Sequence, residues 1–128
     1  MKLLFLAIIS FLSTFSNFPP KETIVSQSFP LDHPTMSIKS TLVGTVDVIY
    51  VDDTELQVET IISGLDADVL QYAIQKGHFK LTTDYSWSDA SLTLEEKRIN
   101  TILYSNGQVQ KPQKRYRIKV PRQVNFIH

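Results

Sequence analysis

The sequence predicts a mainly β protein, an antiparallel or mixed sheet of about six to eight short strands with one short α-helix from Asp66 to Lys76. Two observations point there. Apolar and polar residues alternate with period two in run after run from Met36 onward, and a single stretch, bracketed by Gly64 and Gly77, changes to helical spacing. The chain divides into a signal-like leader at 1–16, an extended lead-in at 17–34, and one β-rich domain at 35–128.

The leader places Lys2 before an apolar run from Leu3 to Ile9 that continues through Phe11, Leu12 and Phe15. This is the charge and hydrophobicity order of a secretory signal. Ser10, Ser13, Thr14 and Ser16 interrupt it before the roughly 20 residues a membrane-spanning helix needs. Export to the periplasm, the cell surface or the medium is the expectation, with an uncleaved N-terminal anchor as the alternative. The lead-in is rich in Pro, Ser and Thr and holds one short candidate strand, Thr23 to Phe29, expected to pack loosely.

"MSIKS" then alternates, and in "TVDVIYV" Val46, Val48 and Tyr50 share a face, with Gly44 as a turn or bulge before them. Asp52-Asp53 breaks the chain ahead of "LQVETII", where Leu56, Val58, Thr60 and Ile62 share a face. In "GLDADVLQYAIQKG", Asp66 is placed as an N-cap and Asp68 sits where the helix dipole favours a carboxylate. Val69/Ala73 and Leu70/Ile74 supply the apolar stripe, and Lys76-Gly77 the stop. "HFKLTTDY" puts Phe79, Leu81, Thr83 and Tyr85 on one face, and "SWSDAS" is turn chemistry. "LTLEEKRINTIL" fits helix by composition, but Thr93, Ile99, Thr101 and Ile102 favour strand, and Ser105-Asn106-Gly107 suits a tight turn. "RYRIKV" alternates Tyr116, Ile118 and Val120 against Arg117 and Lys119, and Pro121 ends or edges it.

Composition excludes several functions. The 13 basic and 13 acidic residues balance, so no overall field steers the protein to nucleic acid. Cysteine is absent, which removes disulfides, a thiolate nucleophile and a lipidated cysteine. His33, His78 and His128 lack zinc-ligand spacing, and Asp52, Asp53 and Glu55 lack the rest of a calcium loop and read as turn residues. The acidic residues Asp47, Asp52, Asp53, Glu55, Glu59, Asp66 and Asp68 occupy a stretch, Ser40 to Gln75, free of Lys and Arg. No catalytic motif gives a reason to expect an enzyme, and no cofactor is implied.

A candidate anion-binding patch is formed by Lys111, Lys114, Arg115, Arg117, Lys119 and Arg122. The same residues also suit the solvated face and protected edge of a strand, or a strand lying across from the acidic region. The aromatics Tyr85, Trp87, Tyr104 and Tyr116 would accompany a small-molecule or polyanion site.

The order of parts resembles the N-terminal portion of the DUF4097 family, which includes an auto-transporter adhesin head domain group. Tyr116, Ile118, Val120 and Pro121, followed by Val124 and Phe126, match its "Y-x-I-x-V-P" and "V-x-L/F" segment, and the likeness covers 29–128. The resemblance implies a non-enzymatic exported envelope or surface module with a structural or adhesin-like role, resembling the start of a β-solenoid-type protein. In the family, Gly- and Asn-rich strands that stack as a solenoid follow this segment. Their absence after His128 implies a natural short form, a truncated reading frame, or a sheet completed by a strand-donating chain or an envelope surface component. Tyr116, Ile118, Val120, Val124 and Phe126 are expected against the sheet, with the terminal strand keeping an open edge.

Overall fold

The computed structural model describes residues 9–13, 22–97 and 102–128, and among these the protein is mainly β with one helix. The strands are β1 Ile9–Ser13, β2 Thr23–Pro30, β3 Ser37–Ser40, β4 Thr45–Val51 and β5 Glu55–Ser63. Helix α1, Ala67–Gln75, follows, and then β6 Leu81–Ser86, β7 Ser91–Glu96, β8 Tyr104–Ser105, β9 Gln108–Val109, β10 Gln113–Pro121 and β11 Asn125–Ile127. They form a sheet of order β1-β2-β5-β10-β4, a second of order β11-β3-β7-β6, and a small β8-β9 hairpin. The single sheet expected from the sequence is thus two mixed sheets. Alternation locates strands and leaves their partners open.

The two large sheets share one core. Phe29 of β2, Leu56 and Val58 of β5, and Tyr116, Ile118 and Val120 of β10 meet Ile38 of β3, Leu81 of β6, and Leu92 and Leu94 of β7. On β5 the face read from the sequence, Leu56, Val58, Thr60 and Ile62, is buried along its whole length. A second cluster joins Val25 and Ile62 to Val69 and Ala73 of α1 and to Phe79 and Leu103, so the helix covers part of the first sheet. Its ends agree with the sequence reading: Asp66 is the N-cap and Lys76 the C-cap. No helix among the described residues is long and apolar enough to cross a membrane.

A buried amide ties the sheets together. Gln27 on β2 is 2% exposed; its Oε1 accepts from the Leu81 N–H at 2.9 Å and its Nε2 donates to the Leu81 carbonyl at 3.3 Å. Both backbone groups at the start of β6 are satisfied by one side chain, which fixes β6 against β2.

Two expectations change, those for β2 and β10, and one pairing is added. β2 lies in the stretch read as a loose lead-in, yet it pairs with β5 from Thr23 to Pro30 and buries Thr23, Val25, Gln27 and Phe29. Residues 9–13, inside the stretch read as a leader, pair antiparallel with β2, Ile9 opposite Gln27 and Ser13 opposite Thr23; the rest of 1–16 lies outside the described residues. Finally, β10 has no open edge. It runs between β5, antiparallel, and β4, parallel, and the edge of the second sheet is β11, whose Phe126 packs half-buried on the core. The reason lies in its two faces: Tyr116, Ile118 and Val120 enter the core while Arg115, Arg117 and Lys119 lie beside Thr45, Asp47 and Ile49. The uncertain "LTLEEKRINTIL" stretch is strand at Ser91–Glu96; 98–101 lie outside the described residues, and Asn106-Gly107 makes the β8-β9 turn with both residues at positive φ.

Candidate functional site

The six basic residues of the C-terminal region do not gather into one cationic surface. Strand alternation sends Lys114 to the inner face, where its Nζ contacts both Glu96 carboxylate oxygens at 2.7 and 2.9 Å. Arg115 pairs with Glu22 at 3.1 Å, Arg117 with Glu59 at 3.2 Å, and Arg122 with Asp52 at 2.8 Å. Register also sets Asp47 of β4 opposite Arg117. The basic strand therefore lies between the two strands of the acidic region, and local charge is largely cancelled. Among the described residues, Lys111 and Lys119 alone of the six have no ion pair.

The four aromatics separate as well. Tyr116 is 1% exposed, and its hydroxyl donates to Glu96 Oε1 at 2.6 Å. Burial, and then the Glu96 hydrogen bond and charge, push its phenol far above the ordinary value. It is a core residue whose polar tip is satisfied between the sheets. Tyr104 stands exposed on the β8-β9 hairpin.

Tyr85 and Trp87 do come together, at the β6-β7 turn, and His33 joins them. The Tyr85 and Trp87 ring centroids are 5.0 Å apart and nearly perpendicular, and His33 lies 4.9 Å from Tyr85 and 4.7 Å from Trp87. Edge-to-face contacts of this kind hold rings in place as well as burying area. The loop bearing His33 is anchored by a hydrogen bond from the Tyr85 hydroxyl to the Pro34 carbonyl and by one from the Thr35 hydroxyl to the His33 carbonyl at 2.9 Å. Trp87 nevertheless remains 73% exposed. Polar groups surround it in sequence: the Ser86 and Ser88 hydroxyls meet at 3.0 Å, and Asp89 accepts from Lys39 Nζ at 2.8 Å and from the Ser91 hydroxyl at 2.7 Å. Those hydrogen bonds, Lys39 first, hold the Asp89 carboxyl well below the usual carboxylate range. The turn chemistry of "SWSDAS" was legible in the sequence. His33, 52 positions before Tyr85 by subtraction of their numbers, carried no signal there.

Of the acidic residues, Asp52, Asp53 and Glu59 find partners within the fold. Asp53 accepts from the Thr54 N–H at 2.7 Å and from Gln57 Nε2 at 3.2 Å, closing the turn between β4 and β5. Among the described residues, His, Asp and Glu form no cluster able to hold a metal ion. Beyond these groups, a cavity of about 300 Å³ opens at the C-terminal end of α1, lined by Lys76, read in the sequence only as a helix stop, and by Lys80 and Lys97, which carried no signal there. Comparison with protein-family models, curated proteins and solved structures finds no match for the chain.

Proposed function

We propose that this protein is a non-enzymatic exported β-sandwich module of the bacterial envelope or surface, with an adhesin-like role in which the end of the sandwich bearing Trp87 binds glycan. The leader-like N-terminus and the DUF4097-like order of Tyr116, Ile118, Val120, Pro121, Val124 and Phe126 support the export and envelope parts of this reading. The observation that carries the binding part is the exposed Trp87 ring, held by Tyr85 and His33 at the β6-β7 turn.

Trp87 presents most of its ring to water, and the Tyr85 and His33 rings hold that face in place. Rings 4.7–5.0 Å apart leave no space among them for an enclosed cation, so the open surface of Trp87 acts as a platform. A protein partner needs about 800 Å² on each side around an apolar centre. Here one ring is flanked in sequence by Ser86, Ser88, Asp84 and Asp89, a pattern suited to a sugar ring, which has an apolar C–H face and a rim of hydroxyls.

Trp87 is the only tryptophan, so its fluorescence reports this site alone. Titration with soluble oligosaccharides from chitin, cellulose and peptidoglycan should give a saturable change for at least one. Cosedimentation with the matching insoluble polymer should fall at least tenfold in Trp87→Ala at an unchanged melting temperature. Flat fluorescence across the panel, or pelleting that Trp87→Ala does not affect, would refute the assignment. The alternative of anion binding through the C-terminal basic strand is not favoured, because Arg115, Arg117, Lys114 and Arg122 are each engaged by a carboxylate.

A further inference from the structure

Among the described residues, three lysines without an ion pair stand together at the C-terminal end of α1. Lys76 is the C-cap of the helix, and backbone bonds bring the other two lysines beside it. The Lys80 N–H donates to the Gly77 carbonyl at 3.2 Å, and the Lys97 N–H donates to the Lys80 carbonyl at 3.0 Å, extending the β6-β7 register one pair past Leu81 and Glu96. All three side chains are exposed and border the 300 Å³ cavity, whose apolar lining is Val25, Ile74 and Phe79. Among the described residues none of the three forms an ion pair, and no carboxylate lines the cavity; Lys76 lies 5.6 Å from the Tyr72 ring centroid.

Lysines at a helix C-terminus ordinarily answer its partial negative charge, equivalent to about half a unit. Three ammonium groups exceed that several-fold, and helix capping gives no reason for an apolar floor. The cavity volume is that of a small-molecule site, too small for a polymer groove. Cations are repelled, and a small hydrophilic anion leaves the floor unused.

We propose that this cavity binds an anionic amphiphile, its carboxylate or phosphate head among Lys76, Lys80 and Lys97 and its apolar body on Val25, Ile74 and Phe79. Such a head is carried by a free fatty-acid-like molecule or by an anionic membrane lipid. The site is separate from the Trp87 platform and stands whether or not that platform binds glycan.

The test is calorimetric titration of the full chain with dodecanoate below its micelle concentration, alongside cosedimentation with phosphatidylglycerol and phosphatidylcholine vesicles. Saturable dodecanoate binding is expected, weakened at high salt and lost at least tenfold in K76Q/K80Q/K97Q. It should be retained in K111Q/K119Q and in Trp87→Ala. Circular dichroism melts of all variants guard against unfolding, a small risk for exposed lysines. Binding to phosphatidylglycerol vesicles that requires the three lysines, without uptake of dodecanoate, assigns the head to a membrane lipid; dodecanoate binding without vesicle binding assigns it to a free amphiphile. The proposal is overturned if neither probe binds, if K111Q/K119Q loses as much as K76Q/K80Q/K97Q, or if acetate and inorganic phosphate compete as well as dodecanoate does.

Discussion

His78 links the helix stop to the second sheet, and its ring is the one described side chain with a buried polar atom left unpaired, Nε2. Its backbone N–H donates to the Ala73 carbonyl at 2.9 Å, which pins the residue where the chain leaves α1. Burial first, and the Lys114 ammonium second, lower its pKa below the ordinary 6.5. The native state therefore keeps the imidazole neutral, while the unfolded chain takes up a proton at its ordinary pKa. Below about pH 6.5 the unfolded state binds more protons, so the stability present above that value is lost as pH falls through the native pKa. Urea melts from pH 8 to pH 5 should show this decline, and His78→Gln, which cannot titrate, should reduce it. Equal slopes in both proteins would assign the acid sensitivity to other groups.

At the scale of elements, what could be read in the sequence depended on whether a signal was local. The helix from Asp66 to Lys76, the alternation of β5 and the Asn106-Gly107 turn are each written within a few residues and agree with the structure. Strand partners are set by residues far apart, so nothing in "YRIKV" said that β10 would enter between β4 and β5 instead of lying at an edge. The acidic stretch from Asp47 to Glu59 was the available signal: one reading of the basic strand set it across from that region without naming pairs, and the structure pairs Arg117 with Glu59 and Arg122 with Asp52. The two sites differ in the same way. The Trp87 turn is local and half legible, whereas Lys76, Lys80 and Lys97 meet only through the helix stop and the β6-β7 register. Gly44 shows how tightly β10 is inserted. It has φ +130°, and a Cβ there would stand 2.7 Å from the Lys114 carbonyl oxygen, a backbone atom that cannot move without shifting β10. Gly44→Ala should destabilise the protein by at least about 1–3 kcal/mol from backbone strain alone. Gly107→Ala, at positive φ but in open space, should cost less. A smaller loss at Gly44 than at Gly107 in matched thermal melts would show that the β4-β10 contact is loose.

At the scale of the whole molecule, the edge that matters has moved from the last strand to the first. β1 pairs residue for residue with Thr23 to Gln27 of β2, and these same residues, Ile9–Ser13, lie inside the stretch proposed as a signal leader, which export would remove. If signal cleavage takes β1 away, the outer side of β2 loses its ladder while its inner face, Thr23, Val25, Gln27 and Phe29, stays committed to the core. A strand held flat by its core and unpaired along one side is a template for another strand. No charged residue occurs between Thr23 and Pro30 to discourage such pairing. A protein beginning at Asn17 should therefore form dimers whose fraction rises with concentration, as light scattering behind gel filtration measures. Antiparallel β2-β2 pairing about a twofold axis is the simplest closed arrangement. Ile24→Lys, on the outer face of β2, should shift that protein toward monomer, because a lysine repeated on both sides of a twofold contact repels itself. The full chain, with β1 in place, should stay monomeric under the same conditions. A protein from Asn17 that remains monomeric at every concentration and melts with the full chain would mean that β2 needs no neighbour on that side.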